Sequence, residues 1–240
     1  VAQLLDEKLI VETELRMEKI GRPGLLLELN PQGGGMVGVE FGVDFVHVIL
    51  TDLIANILWR RRVLIGEGEL QETYTHIAEE MIRQALGRAG QIPLPVMGIG
   101  LALPGMVDAE QGELRYAPNL RWHDVPFGNL WSKRFGKPVA VENNANAGAM
   151  GEYYFGAARN VGHFIYLGGG TGIGGGIVMD GRIFRGRGGF AGEIGHMTID
   201  LEGDLCNCGR RGCWETLVGP RAVVAKYRSR MEAGSRVRLE

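Results

Sequence analysis

Apolar and polar residues alternate with a period of two over 11–17, 25–29, 36–41, 45–51 and 57–65, the pattern of half-buried strands. Between 69 and 89 the period changes: Leu70, Tyr74, Ile77, Met81, Ile82 and Ala85 recur at helical spacing, which predicts an amphipathic helix. Residues 96–103 are wholly apolar, as expected of a strand buried on both faces, and the run ends in Pro104-Gly105. Asp124 is placed to cap a helix running through Phe135, 139–141 reads as another buried strand, and 144–155 as another helix. Strands follow at 164–167 and 174–179, the second turned by Asp180-Gly181 into Ile183-Phe184, and a last helix is expected at 221–230. At the start, 1–10 reads as the end of a helix with Leu4, Leu5 and Leu9 on one face. The two strands after it are joined through a basic glycine and proline tip, Lys19-Ile20-Gly21-Arg22-Pro23-Gly24. Asn30 to Gly35, NPQGGG, punctuates the chain and marks a domain boundary. This order of strands and helices is that of a mixed α/β fold.

Composition narrows the setting. With 240 residues, 45% apolar and 22% charged, the chain can bury one substantial core or two small ones. A net charge of −2 gives no global attraction to nucleic acid or anionic lipid, so any DNA contact must come from a local patch. Arg60-Arg61-Arg62 lies on an alternating strand and cannot present all three side chains on one face. The acidic N-terminus lacks a signal-peptide core, and the longest uncharged run, 164–179, is too short and glycine-rich to span a bilayer. A cytoplasmic location with no membrane partner is expected, in keeping with cysteines used as thiolates. Glycine, at 39 residues, stands at about twice its usual frequency, a habit of ligand-binding α/β folds.

The chemistry concentrates in 189–215, GFAGEIGHMTIDLEGDLCNCGRRGCWE, where Cys206, Cys208 and Cys213, all the cysteines of the chain, follow His196. Three thiolates and one imidazole are the ligand set of a closed tetrahedral zinc site, with Gly209 and Gly212 letting the backbone turn around the ion. The other reading is three buried or reactive thiols that cluster by chance. A second glycine-rich stretch, Gly168 to Gly176 (GGGTGIGGG), is bracketed by apolar strands. Successive N–H groups and the Thr171 hydroxyl could face an anion there, or the stretch is a tight turn between strands.

GEIGHM followed by CxCGxxGCxE closely resembles the signature of the ROK family, which groups sugar-responsive transcriptional repressors with sugar kinases, and weaker motifs extend the resemblance over 21–220. It implies a two-lobed, actin-like (ribonuclease H-like) sugar kinase fold with a structural zinc loop and a ligand cleft between the lobes. The zinc ligands are then His196, Cys206, Cys208 and Cys213. The sugar-recognition set carried over by matching motif is Gly105 in LPG, Asn119 in APNL, Asn143 and Asn144 in ENNAN, Glu193 and His196 in GEIGH, and Glu215 in GCWE. His196 would serve twice, one ring nitrogen on zinc and the other toward the sugar. Gly170, Thr171 and Gly172 stand where the kinases have their second phosphate loop.

Two positions depart from the kinase pattern. In Glu40-Phe41-Gly42-Val43-Asp44, Asp44 replaces the hydroxyl residue of the first phosphate loop, and a carboxylate would face the triphosphate with like charge. Asn144 replaces the aspartate that serves the kinases as general base, and an amide has no basic site near neutral pH. No residue of this chain is therefore assigned a catalytic role. The resemblance also implies that GRPGLLLELNP is the wing and exit of a winged helix-turn-helix, where residues alone allow an ordinary hairpin equally. The expectation is a sugar-responsive repressor in three parts: the tail of a winged helix over 1–32, a first lobe over 33–138 and a second, incomplete lobe over 139–240. Its partners would be a monosaccharide effector, operator DNA and a second copy of the chain in a homodimer or higher homo-oligomer. The alternative is an ATP-dependent hexose kinase resembling glucokinase. Family members continue past the position of Pro220 and carry a recognition helix ahead of the wing, so a fragment at both ends is expected.

Overall fold

In the computed structural model, which describes residues 1–14, 25–66 and 68–232, the chain folds as two units, Val1–Ala102 with Pro126–Val141, and Leu103–Val125 with Glu142–Glu240.

The first unit opens with a short helix, α1 (Ala2–Asp6), and an antiparallel pair, β1 (Ile10–Glu14) and β2 (Leu25–Leu29), in which Ile10 faces Leu29. The helix expected over 1–10 is shorter than its pattern, because Lys8 turns left-handed (φ 59°) and Ile10 already belongs to the ladder. The tip between β1 and β2, with Arg22, lies outside the described residues. Five strands follow in one sheet: β3 (Gly35–Phe41), β4 (Phe45–Asp52), β5 (Ile57–Leu64), β6 (Val96–Leu103) and β10 (Val139–Asn143), ordered β10-β6-β3-β4-β5. Strand β6 runs parallel to β3 and has neighbours on both sides, which accounts for its unbroken apolar run. Strand β5 is the edge. There Arg61 bonds Gln84 Oε1 at 2.8 Å and the Arg62 guanidinium lies 3.9 Å over the Phe45 ring.

Two helices build the core against this sheet. In α2 (Gln71–Gln91) the buried stripe is Tyr74, Ala78, Met81, Ile82, Ala85 and Ala89. In α3 (Phe127–Phe135), Phe127 and Trp131 pack edge-on at 5.3 Å and both meet Phe41 of β3. The α3 boundary corrects one expectation. Its N-cap is Pro126, without a side-chain cap, whereas Asp124 sits left-handed (φ 49°) in a preceding strand. Glu79, buried on α2, pairs with Arg134 on α3 at 2.9 Å and with Arg83 at 3.8 Å, so the two helices share a compensated charge. Trp131 is 1% exposed, and truncation there would open the middle of an aromatic cluster. Trp131→Ala is expected to cost about 3–5 kcal/mol of stability, read from a urea unfolding curve.

The second unit begins with a three-stranded antiparallel sheet that the hydrophobic pattern did not announce: β7 (Met106–Asp108), β8 (Glu113–Ala117) and β9 (Trp122–Val125). Only Leu114, Ala117, Trp122 and Val125 of these short strands are buried, too few to show a period. A second antiparallel sheet is made of β11 (Phe164–Gly169), β12 (Ile173–Met179) and β13 (Arg182–Ile183), with α4 (Asn144–Phe155) packed on it. The glycines of β12 have a packing cause. A Cβ on Gly176 would come within 2.7 Å of Ala149 Cβ on α4, and one on Gly175 within 2.6 Å of Ile194 Cδ1 on the opposite face. Bare backbone lets helix and loop close on both sides of the strand. A 3₁₀ turn at Ile194–His196, α5 (Trp214–Val218) and α6 (Pro220–Glu232) complete the unit. Among the described residues no helix is long and apolar enough to cross a membrane.

Candidate metal centre and ligand site

His196 closes the 3₁₀ turn, and the three cysteines follow in a loop held by its own backbone. Cys206 N donates to Arg210 O (2.8 Å), Gly209 N to Cys206 O (2.9 Å), and Ile199 N to Gly212 O (2.9 Å). Gly209 and Gly212 carry the positive φ values, 88° and 61°, that bend the chain back. The loop brings one ligand atom from each of His196, Cys206, Cys208 and Cys213 to within 4.8 Å of one another. Cys208 Sγ lies 3.6 Å from Cys213 Sγ, and Cys206 Sγ 3.5 Å from His196 Nδ1. A tetrahedral ion with bonds of about 2.3 Å to sulfur and about 2.0 Å to nitrogen needs sulfur–sulfur edges near 3.75 Å and sulfur–nitrogen edges near 3.5 Å. These two edges meet that requirement while the four ligand atoms as a set spread over up to 4.8 Å, so the donor set is one that could hold a tetrahedral metal once drawn in around it.

Two carboxylates flank the imidazole on opposite nitrogens. Glu215 Oε1 is 3.3 Å from His196 Nδ1 and accepts from the Cys206 thiol at 2.9 Å, while Glu193 Oε2 is 3.9 Å from His196 Nε2. Burial pushes the Cys206 and Cys213 thiols up, and the bond Cys206 donates to Glu215 pushes the same way. Glu193 is raised above the usual carboxylate range, chiefly by burial; neighbouring His196 opposes the shift and Glu215 adds to it. Glu215 also abuts the tip of the β11–β12 hairpin, since a Cβ on Gly172 would run into its carboxylate.

Hairpin geometry governs the glycine loop. Gly169 pairs with Ile173 across the ladder, and Gly170 N donates to Gly172 O at 3.1 Å, so Gly170, Thr171 and Gly172 form the turn itself. On the other side of β12, Asn143 caps α4: its Oδ1 accepts from Ala145 N (2.8 Å) and Asn146 N (3.2 Å), and its Nδ2 donates to Gly105 O (2.8 Å). Gly105 has φ 108°, and a Cβ there would come within 2.8 Å of Ala117 Cα. Asn144, the first residue of α4, is exposed and makes no side-chain hydrogen bond among the described residues. Asn119 stands at the turn between β8 and β9 and meets the metal loop through Asn207. All seven residues expected to recognise sugar, and the four candidate metal ligands, thus lie in the second unit. Asp44 lies in the first, exposed in the turn between β3 and β4, with its carbonyl accepting from Ile65 N at 2.8 Å.

Sequence reasoning missed two elements of this region. Glu142 binds the start of α4 through Asn143 N (2.9 Å) and Asn146 Nδ2 (3.1 Å) and pairs with Arg185 beyond β13. Nothing in the order of residues joins 142 to 185. The contact of Asn207 with Asn119 had one available signal, the position of Asn207 between two ligands.

Comparison with known proteins agrees with this geometry. The ROK family model matches residues 36–238, and the chain belongs to that family. A xylose repressor of Caldicellulosiruptor bescii is 36% identical over 97% of this chain and 58% of its own. Among solved structures, a ROK family transcriptional regulator described as a homologue of the E. coli MLC protein superposes with a TM-score of 0.79 at 32% identity, over 98% of this chain and 59% of that one. A ROK family glucokinase from Streptomyces griseus, in complex with glucose and AMPPNP, follows with 0.74 at 34% identity, over 83% of this chain and 62% of that one. The fold is therefore the ROK sugar-kinase, actin-like one. The chain spans about three fifths of the length of the relatives it matches.

Proposed function

We propose that this chain is the effector-binding part of a sugar-responsive transcriptional repressor. It would hold a monosaccharide against Gly105, Asn119, Asn143, Asn144, Glu193, His196 and Glu215, and the four-ligand cluster would hold zinc. The observation that carries the reading is Asn144. At the position where the family's kinases place their general base, the chain has an amide, which can hydrogen-bond a hydroxyl and cannot take its proton. A repressor relative that matches 97% of the chain supports the same conclusion. Zinc would act as a structural cross-link, holding the thiolates together and fixing the ring of His196 through one nitrogen, which leaves the other toward Glu193 and the sugar. Acids and amides then supply short planar heads, each able to bridge two hydroxyls of a sugar ring.

The rest of the proposal follows chain order. Residues 1–32, with α1 and the β1–β2 pair, are read as the tail of a winged helix; 33–138 and 139–240 supply the two lobes, with 103–125 packing in the second unit. Operator DNA is the partner of the wing, the assembly is a homodimer or higher homo-oligomer, and the compartment is the cytoplasm. The likeness to a glucokinase favours a second reading, hexose phosphorylation.

Calorimetric titration with D-xylose, D-glucose and related monosaccharides, with and without ATP and magnesium, tests the proposal. Binding of a sugar without dependence on nucleotide supports it, and phosphorylation of the sugar overturns it. Glu193→Gln or Glu215→Gln is expected to weaken the sugar at least tenfold while the metal-loaded fold melts as before, since each removes a charged acceptor for hydroxyls. Unaltered affinity in both variants would remove these residues from the site.

A further inference from the structure

Asn207 lies between the metal ligands Cys206 and Cys208, yet its side chain leaves the ligand loop, and Nδ2 donates to Asn119 Oδ1 at 2.8 Å. The two residues are 88 positions apart. Asn119 belongs to the turn between β8 and β9, closed by Leu120 N and Arg121 N on Ala117 O (3.1 and 2.8 Å). This is Asn119's only side-chain hydrogen bond among the described residues. A primary amide offers an acceptor at one end and two donors at the other, and without a partner it can present either. Here Oδ1 is occupied, which leaves the two N–H donors of Asn119 to whatever binds beside it. Asn207 is itself held by its neighbours, because a residue flanked by two ligands has its backbone fixed when the metal is bound.

We infer that Asn207 is a positioning residue, tying the β8–β9 turn to the metal loop and setting which end of the Asn119 amide faces the effector. What Asn119 meets rests on the effector-site reading above; the tie to the metal loop does not. The consequence is reciprocal coupling: metal loading orders Asn119, and loss of Asn119 loosens the metal loop by the same factor. The bond is neutral and exposed, so each effect should fall in the range of about two- to tenfold.

The test uses the zinc-loaded chain and two readouts. Zinc release to a chromogenic chelator is measured for wild type, Asn119→Ala, Asn207→Ala and the double variant. Each single change should speed release about two- to fivefold, and the double should be no faster than the quicker single. D-Xylose and D-glucose affinities are then measured for wild type, Asn207→Ala and Asn207→Asp. The aspartate can keep the tie only by accepting from Asn119 Nδ2, which turns the amide round. Asn207→Asp should therefore release zinc like wild type yet bind sugar several-fold more weakly, a separation that a purely structural role would not produce. Release rates that multiply in the double variant, or wild-type sugar affinity in Asn207→Asp, overturn the inference. If wild type binds neither sugar while the release cycle is non-additive, the effector-site reading falls and the tie stands.

Discussion

Cys213→Ser is expected to leave the chain without a stoichiometric metal ion and to lower its melting temperature by several degrees. Cys213 is fully buried, precedes α5 as its N-cap, and lies 3.6 Å from both Cys208 Sγ and the carbonyl of His196. The loop around it has little apolar cohesion of its own, since Met197, Ile199, Leu201 and Leu205 are all exposed. With zinc in place, as proposed, ligation would be the main force that holds 196–213 against the sheet, and structural zinc contributes apparent free energies of about 10–16 kcal/mol in small zinc modules. Loss of only about 3 kcal/mol would lower the melting temperature by roughly 6–12 °C in a chain of this size.

The pH dependence gives the same prediction a sign. In the metal-free fold, burial raises the Cys206 and Cys213 thiols above their unfolded values. The native state then binds more protons than the unfolded one at alkaline pH, so metal-free stability is full below the ordinary thiol range, near 8.5, and falls as pH rises through it. The zinc-loaded fold holds thiolates, binds fewer protons than the unfolded chain, and gains stability over the approach to that range. Between about pH 6 and 8 the loaded form is expected to gain stability while the metal-free form stays level, and the metal-free form alone is expected to fall from about pH 8 upward, read from thermal melts beside metal analysis. A wild-type metal content near zero, with melting indifferent to a chelator, would sink the metal assignment.

The parts of this architecture that could be read in advance are those in which one physical cause dominates. Helix α2 shows its buried stripe at the spacing of its own turns, and β6 reads as a buried strand because it has sheet neighbours on both sides. The gathering of His196 with the three cysteines was legible because ligation constrains residue type directly: few reasons other than a shared ion bring three thiols so close along the chain. Strands β7 to β9 were not legible, since four inward residues in three short strands leave no period. The glycines of β12 were ambiguous for a different reason. An anion loop and a strand squeezed between Ala149 and Ile194 both ask for missing Cβ atoms, and only the packing separates Gly175 and Gly176 from the turn at Gly170–Gly172. Asn143 shows the converse limit. Its motif marks it for recognition, yet much of its amide is engaged in capping α4 and in holding Gly105.

The chain is expected to show no sugar kinase activity, and Asn144→Asp alone is expected not to supply it. Asn144 begins α4 without a side-chain partner, so an aspartate could be accommodated there and would return a base where the family's kinases have one. General-base catalysis contributes on the order of a hundred- to ten-thousandfold in rate, which is substantial only if nucleotide is already bound. The turn that would serve as the first phosphate loop carries Asp44, exposed and braced through its carbonyl by Ile65 N. A carboxylate in that loop repels phosphate oxygens and cannot donate to them, a penalty exerted on binding before any chemistry begins. Since the two losses act on different steps, repair of one leaves the other limiting. Asn144→Asp combined with Asp44→Thr is the smallest change expected to give turnover, because threonine restores a donor and removes the charge. A coupled assay of ADP release over a panel of hexoses decides the matter. Turnover by the unmodified chain would favour the kinase reading over the repressor; turnover by Asn144→Asp alone would show that Asp44 does not bar nucleotide; and a silent double variant with normal sugar affinity would place the missing function in groups other than these two.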